Sequence, residues 1–299
     1  MKKLLLAAAL AVAPAPALSA PTATAQATRP DADPALWVVR DDDTTIYLFG
    51  TFHLLDGRSD WFNDEVRTAF DRSEELVLEF VPPENPADMQ PLIARYAVDG
   101  SGRPLAERLP APLAGRVNEE LAELGIPAAA MDRFEPWFLT MTLAVMGAQR
   151  LGITGEHGPE AALTAAARGR SIKVSGVETL ESQLRLFDEM PAPLQIAQLE
   201  QSVEQMDGLA GSLGPMMAAW SSGDTAAIDT LMNGPVQQSP ELYRAVFVER
   251  NARWTEWLRE RMARPGTVFV AVGAGHLAGA DSVQAMLARH GLRAERVRD

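Results

Sequence analysis

The sequence predicts an α/β fold, a mixed central β-sheet carrying a large helical insert. Three observations support that expectation. Short, continuous apolar runs rich in β-branched residues recur along the chain, as expected of strands covered on both faces. Longer stretches with helical spacing of apolar residues separate them. Two of the runs also end alike. Ile46-Tyr47-Leu48-Phe49-Gly50-Thr51-Phe52-His53 and Val268-Phe269-Val270-Ala271-Val272-Gly273-Ala274-Gly275-His276 each pass from strand to a glycine turn that closes on Gly-x-x-His. Ligands of open α/β sheets bind beyond the carboxyl ends of the strands, so both histidines are expected in one site there.

Taken in order, residues 1–25 read as a secretory signal peptide. Lys2 and Lys3 precede an apolar run at 4–18, and small-residue cleavage sites follow at 23–25 and 25–27. The expected address is the periplasm or the outside of the cell. Residues 26–34, rich in Thr, Ala, Pro and Asp, are expected to be flexible, and 35–299 to form one domain. Residues 36–39 and 44–49 read as a hairpin around Asp41-Asp42-Asp43. Asp60 is expected to cap a helix whose apolar positions are Phe62, Val66, Ala69 and Phe70. Residues 75–81 read as a strand with Glu79 embedded among apolar neighbours. The segment 82–152 is the helical insert; its clearest helix opens at Pro136. A glycine-rich loop at 152–158 and an Ala-rich helix at 160–168 lead to a strand, 171–178, that ends in Glu178. Helices are expected from 180 to 232, broken at Pro191, Pro193 and 208–214. A long helix runs from Ser239 to 262, with Arg250 and Asn251 on its apolar face. The strand 268–272, a helix at 281–290 and a short strand close the chain.

Composition narrows the chemistry. The net charge of −13 argues against non-specific binding to nucleic acid or anionic membranes. The chain has no cysteine, which excludes disulfides and thiolate ligands. Any metal must be held by His, Asp, Glu, backbone or water, which favours ions such as Mn, Co or Zn. Four predicted strands end in His53, Glu79, Glu178 and His276. Two imidazoles and one or two carboxylates are a donor set for a catalytic divalent ion, with a spare glutamate as general base. The expected metal ligands are His53, His276 and Glu79. The expected catalytic groups are Glu79, Glu178 and Arg250, with Arg250 alternatively a structural partner of Glu79 or Glu178. A single Gly-x-x-His is weak evidence; two copies beside two strand-borne glutamates are stronger. His157 and His290 read as surface residues. No nucleophile elbow, phosphate-binding glycine loop or His-Glu-x-x-His helix is found.

Tyr47-Leu48-Phe49-Gly50-Thr51-Phe52-His53, Leu76-Val77-Leu78-Glu79, Arg133-Phe134-Glu135-Pro136-Trp137, Gly176-Val177-Glu178, Glu249-Arg250-Asn251 with Trp254, and Val272-Gly273-Ala274-Gly275-His276-Leu277 with Gly279 together resemble the TraB/GumN family. The resemblance runs from about residue 36 to the end of the chain. It implies a fold like that of the ChaN and erythromycin-esterase proteins. It also implies a metal-dependent hydrolase, related to the Tiki proteases, that acts on a peptide or protein substrate. His53, Glu79 and His276 match the family's motif histidines and strand glutamate. The segment at 155–160 departs from the family pattern, with Glu160 standing where many relatives carry an aspartate. A non-catalytic envelope protein binding metal, haem or peptide is the alternative, and an ester hydrolase a third reading.

Overall fold

The computed structural model describes residues 29–298; the expected signal peptide lies outside the described residues. Six strands form one mixed sheet in the order β4-β3-β5-β2-β1-β6. They are β1 (Leu36–Arg40), β2 (Thr44–Thr51), β3 (Glu75–Leu78), β4 (Lys173–Gly176), β5 (Gly266–Gly273) and β6 (Glu295–Arg296). The hairpin β1–β2 is antiparallel, and β6 adds antiparallel to β1. β2, β5, β3 and β4 run parallel, so four carboxyl ends share one edge of the sheet. β5 is the central strand and the last of these four to be reached along the chain. It pairs with β2 from Thr44↔Gly266 to Thr51↔Gly273 and with β3 from Glu75↔Val268 to Leu78↔Ala271.

The apolar run of β5 is continuous because both of its faces are buried. Phe269 and Ala271 point into one core, with Phe49, Trp61, Phe70 and Trp220. Val268, Val270 and Val272 point into another, with Trp254, Leu258 and Met262. On the first side the aromatic rings make a connected stack: Phe269 lies 5.7 Å from Phe49 and 5.6 Å from Phe70, ring centre to ring centre. The insert has its own core, built around Trp137, Phe138, Leu139 and Leu143 of the helix Pro136–Arg150. Leu199 and Val203 of the helix Ala192–Gln205 close it.

The structure corrects several boundaries. β3 stops at Leu78 and β4 at Gly176, so Glu79 and Glu178 stand just beyond their strands rather than within them. Asp60 does not cap the first helix, which spans Asp64–Arg72 behind Asn63. The Asp60 carbonyl instead accepts the Ala32 N–H at 3.1 Å, and the Asp33 N–H reaches the Ser221 carbonyl at 2.7 Å. The end of the stretch expected to be flexible is thus fastened to the domain, with Ala32 buried. Residues 209–214 do not break the helical region. After a short turn at Met206–Gly208, the helix Leu209–Ser221 runs through Gly211, Gly214 and Pro215. Leu213, Met216 and Met217 pack it on the sheet, and tertiary packing outweighs weak local propensity. The long helix contains a π-helical stretch, Arg244–Val248, between Pro240–Tyr243 and Glu249–Met262. Such widened turns occur often at functional sites. Among the described residues, no helix is long and apolar enough to cross a membrane.

Phe269 is fully buried and touches three other rings. Phe269→Ala should lower unfolding stability by about 3–5 kcal/mol. Urea denaturation followed by circular dichroism measures the loss, and native far-UV signal before the transition distinguishes a cavity from misfolding.

Candidate functional site

The shared carboxyl edge of the parallel strands brings the sequence-predicted residues together. His53 follows β2, Glu79 follows β3, Glu178 follows β4 and His276 follows β5, inside the 3₁₀ turn Ala274–Leu277. The two Gly-x-x-His turns interlock. A side chain on Gly50 would meet the Ala274 Cα at 3.1 Å, so the first turn's glycine makes room for the second turn. Reciprocally, a Cβ on Gly273 would sit 3.1 Å from Glu79 Oε1, 3.4 Å from His53 Nε2 and 3.6 Å from His276 Cδ2. Gly273 has φ −51° and ψ 133°, an ordinary backbone. Its lack of a side chain therefore serves close approach, not a special conformation.

Arg250 occupies the centre, on the face of the Glu249–Met262 helix that covers the strand ends, and its side chain is 8% exposed. Nη2 donates to Glu79 Oε2 at 2.6 Å and to Glu178 Oε2 at 2.8 Å. Nε donates to Glu178 Oε1 at 3.1 Å, and Nη1 to His276 Nε2 at 3.0 Å. The guanidinium also lies 4.7 Å from the Trp254 ring centre. All three guanidinium nitrogens are engaged by protein groups, so Arg250 reads as an organiser of the cluster rather than a clamp for a substrate anion. Glu79 is held on both oxygens, since Oε1 accepts the Gly273 N–H at 2.8 Å. Burial works to raise its pKa. Arg250, the histidines and the Gly273 N–H overcome that and hold it well below the usual carboxylate range.

The two histidines differ sharply. His276 is buried between Trp254 and Phe247, with ring centres at 4.3 and 4.9 Å. Its Nδ1 meets Asn251 Oδ1 at 2.5 Å and its Nε2 faces Arg250. Burial, with the Arg250 charge beside it, pushes its pKa down to about 3. The His53 side chain is 60% exposed, and its Nδ1 pairs with Glu160 Oε1 at 2.6 Å. Desolvation works to lower the His53 pKa, but the charge and hydrogen bond of Glu160, aided by Glu79, raise it to about 9. Glu160 reaches His53 because the loop before it is pinned to the first turn. Leu55 and Thr154 exchange backbone bonds of 3.1 and 2.9 Å. Gly158 lies so close to the His53 carbonyl that any side chain there would collide with it. The departure at 155–160 therefore reaches the cluster, where the Glu160 carboxylate fixes the orientation of the His53 ring.

Two groups escaped the sequence reading. Gln183 Nε2 donates to Glu79 Oε2 at 2.9 Å and to Glu178 Oε2 at 3.1 Å, tying the two carboxylates together. It sits on the helix Leu180–Asp188. A lone glutamine in a polar helix carries no signal of its own; only its position five residues after Glu178 hints at it. Asn233 is buried and donates to the Gly275 carbonyl at 2.9 Å, supporting the His276 turn from below. Of the other histidines, His157 lies against Gly57, and His290 approaches Glu256 at 3.8 Å; neither joins the cluster.

The chain matches the TraB/PrgY/gumN family over residues 35–296. It is 30% identical over 206 residues to the uncharacterised protein YbaP of Escherichia coli (strain K12), covering 66% of this chain and 76% of that protein. It is 24% identical over 264 residues to an uncharacterised protein of Treponema pallidum (strain Nichols), covering 83% of this chain and 78% of that one. No solved structure matches it.

Removing Arg250 leaves Glu79 and Glu178 buried side by side, with only the half-exposed Arg253, 3.7 Å from Glu178, as a nearby arginine. Arg250→Met should cost about 3–5 kcal/mol. Its pH dependence should also invert. In the wild type, Glu79 titrates below its ordinary 4.5, so its contribution is present above that pH and is lost as pH falls further. In the variant, burial without the guanidinium raises the carboxylate pKa, and stability should grow as pH falls from 8 toward 5. Chemical denaturation at several pH values tests both.

Proposed function

The chain belongs to the TraB/PrgY/gumN family, and on that footing we propose that it is a metal-dependent hydrolase acting on peptide bonds outside the cytoplasm. One observation carries the proposal: the space in front of Gly273. Glu79 Oε1 and His53 Nε2 both border the point that a Cβ would fill, from 3.1 and 3.4 Å. A carboxylate oxygen and an imidazole nitrogen converging on one point fit a divalent cation of the Mn, Co or Zn type with water completing its coordination. Among the described residues no group of three or more His, Cys, Asp and Glu stands within coordination reach of one point, so water must supply the remaining positions. A cation held there would supply an acidified water and polarise a carbonyl.

The residues of the chain do the rest. Glu160 holds the Nδ1–H of His53 and orients the ring with Nε2 toward the cradle, as in metal-binding histidines. Because Glu160 also raises the His53 pKa to about 9, a cation would bind there only by displacing the Nε2 proton, more readily as pH rises. Gly273 N–H and Arg250 fix the two oxygens of Glu79 and keep it ionised. Glu178 is fully used by Arg250 and Gln183, and it balances the guanidinium rather than touching substrate. The solvent-exposed side of His53 is the approach for substrate. The extracytoplasmic setting rests on the basic and apolar residues 2–18, which lie outside the described residues.

His53→Ala should lose both retained metal and turnover, with circular dichroism and melting temperature close to wild type. Metal analysis after chelation and reloading with Mn, Co and Zn, followed by a peptide-library screen, measures both. Turnover unchanged in a folded His53→Ala protein would sink the assignment. Glu160→Gln should weaken metal affinity or activity by roughly 10–100-fold. Gly273→Ala offers a steric test. Its backbone angles suit alanine, so the fold should survive while the methyl group fills the cradle and displaces the metal.

A further inference from the structure

The sequence made His276 an equal partner of His53, but the structure gives the two rings different work. An amide oxygen can only accept, so the ring nitrogen facing Asn251 Oδ1 must carry the proton. A guanidinium can only donate, so the ring nitrogen facing Arg250 must present its lone pair. The neighbours thus leave one consistent form, a neutral ring protonated at Nδ1. Asn251 is itself oriented, because its Nδ2 donates to the Asp281 carbonyl at 2.8 Å. Both ring nitrogens are used, and Trp254 and Phe247 pack against the ring. The lone pair on Nε2 points at the one buried cation of the cluster, 3.0 Å away. A metal ion on that nitrogen would have to displace Arg250, and with it the counter-charge of Glu79 and Glu178.

We propose that His276 is a positioning residue and not a metal ligand: it anchors Arg250 by accepting its Nη1–H, and through Arg250 it fixes Glu79 so that Oε1 faces the cradle. A continuous relay runs from Asn251 through His276 and Arg250 to Glu79, with hydrogen bonds of 2.5, 3.0 and 2.6 Å. The two turns then divide the labour. The first would bring a donor to an ion, and the second aims the carboxylate that would share it. The assignment rests on the metallohydrolase reading for its consequence, but not for its geometry.

The test compares wild type, His53→Ala, His276→Leu and His276→Gln, each reloaded with Mn. Glutamine can place an amide oxygen where Nε2 stands and so can still accept from Arg250. His276→Gln should retain near-stoichiometric Mn at wild-type melting temperature. His276→Leu should retain it more weakly, while His53→Ala loses it. If peptide turnover is found, kcat should fall in His276→Leu with KM little changed, and His276→Gln should recover part of it. Loss of Mn from a folded His276→Gln as complete as from His53→Ala would overturn the proposal, and that comparison holds even if His276→Leu fails to fold. A second readout stands apart from metal and activity. Nitrogen-15 NMR of histidine-labelled, metal-free protein at pH 7 compares wild type with His276→Gln, and the ring signal lost in the variant should be that of a neutral ring protonated at Nδ1 with a hydrogen-bonded Nε2. If the lost signal is that of a ring protonated at Nε2, the relay is overturned. Wild type that retains no Mn, yet shows the Nδ1 form, would refute the metallohydrolase reading and leave the positioning role standing.

Discussion

Everything at the carboxyl edge of the sheet depends on one buried guanidinium. Arg250 joins the ends of three strands, since its partners Glu79, Glu178 and His276 follow β3, β4 and β5. Burying a carboxylate without a partner costs several kcal/mol, and here two lie within reach of each other. Neither glutamate is tolerable without the arginine, and the arginine is tolerable only because all its nitrogens find acceptors. Such a buried network is not efficient as stabilisation, because desolvation consumes much of the Coulombic gain. What it supplies is definition. A carboxylate held by Arg250, Gln183 and the Gly273 N–H has one orientation, and a site that must place an oxygen to within a fraction of an ångström needs that.

The interlocked turns follow from the same demand. The strand pairing sets Thr51 level with Gly273, so the chain leaves β2 and β5 at the same height and each turn meets the other. Close approach is possible only where side chains are missing. Gly50 yields to Ala274, and Gly273 yields to Glu79 and His53. The π-helical stretch Arg244–Val248 belongs to this fit as well. It lies one turn before Arg250 and carries Phe247, which covers one face of the His276 ring. The site also forms late in chain order. β2 and β5 are more than 200 residues apart, so a chain without its C-terminal quarter has neither the central strand nor Arg250.

Much of this was legible in the sequence because the signals were short and strong. Continuous apolar runs of β-branched, aromatic and leucine residues locate β5 and β2, and residues placed just after such runs project at one edge of a parallel sheet. His53, Glu79, Glu178 and His276 were therefore found from chain order alone. The arginine on the apolar stripe of a helix stood out because a charge there requires a partner. The illegible parts are those set by distant packing. No local pattern says that Gly211, Gly214 and Pro215 sit inside a helix, because the sheet beneath them decides it. Gln183 and Asn233 look like ordinary helix residues, and their value comes from facing the strand ends. The division between the histidines was hidden for the same reason. The Gly-x-x-His spacing is shared, but one ring meets Glu160 in the open and the other meets Arg250 in the dark.

Charge balance gives that division its chemical sense. Glu79, Glu160 and Glu178 surround the strand ends with three carboxylates, and Arg250 supplies one buried positive charge. With His276 neutral and His53 held in its protonated form by Glu160, the carboxylates exceed the positive charges by one, before the half-exposed Arg253, 3.7 Å from Glu178, is counted. On the proposed reading, a divalent cation before Gly273 would add positive charge beside Glu79. Placed instead at His276 Nε2, the same ion would sit within about one hydrogen-bond length of a guanidinium, where repulsion between unlike-sized but like-signed charges in a poorly hydrated setting is severe. The electrostatics of the cluster therefore favour the open side of the site, at His53, over the buried ring of His276.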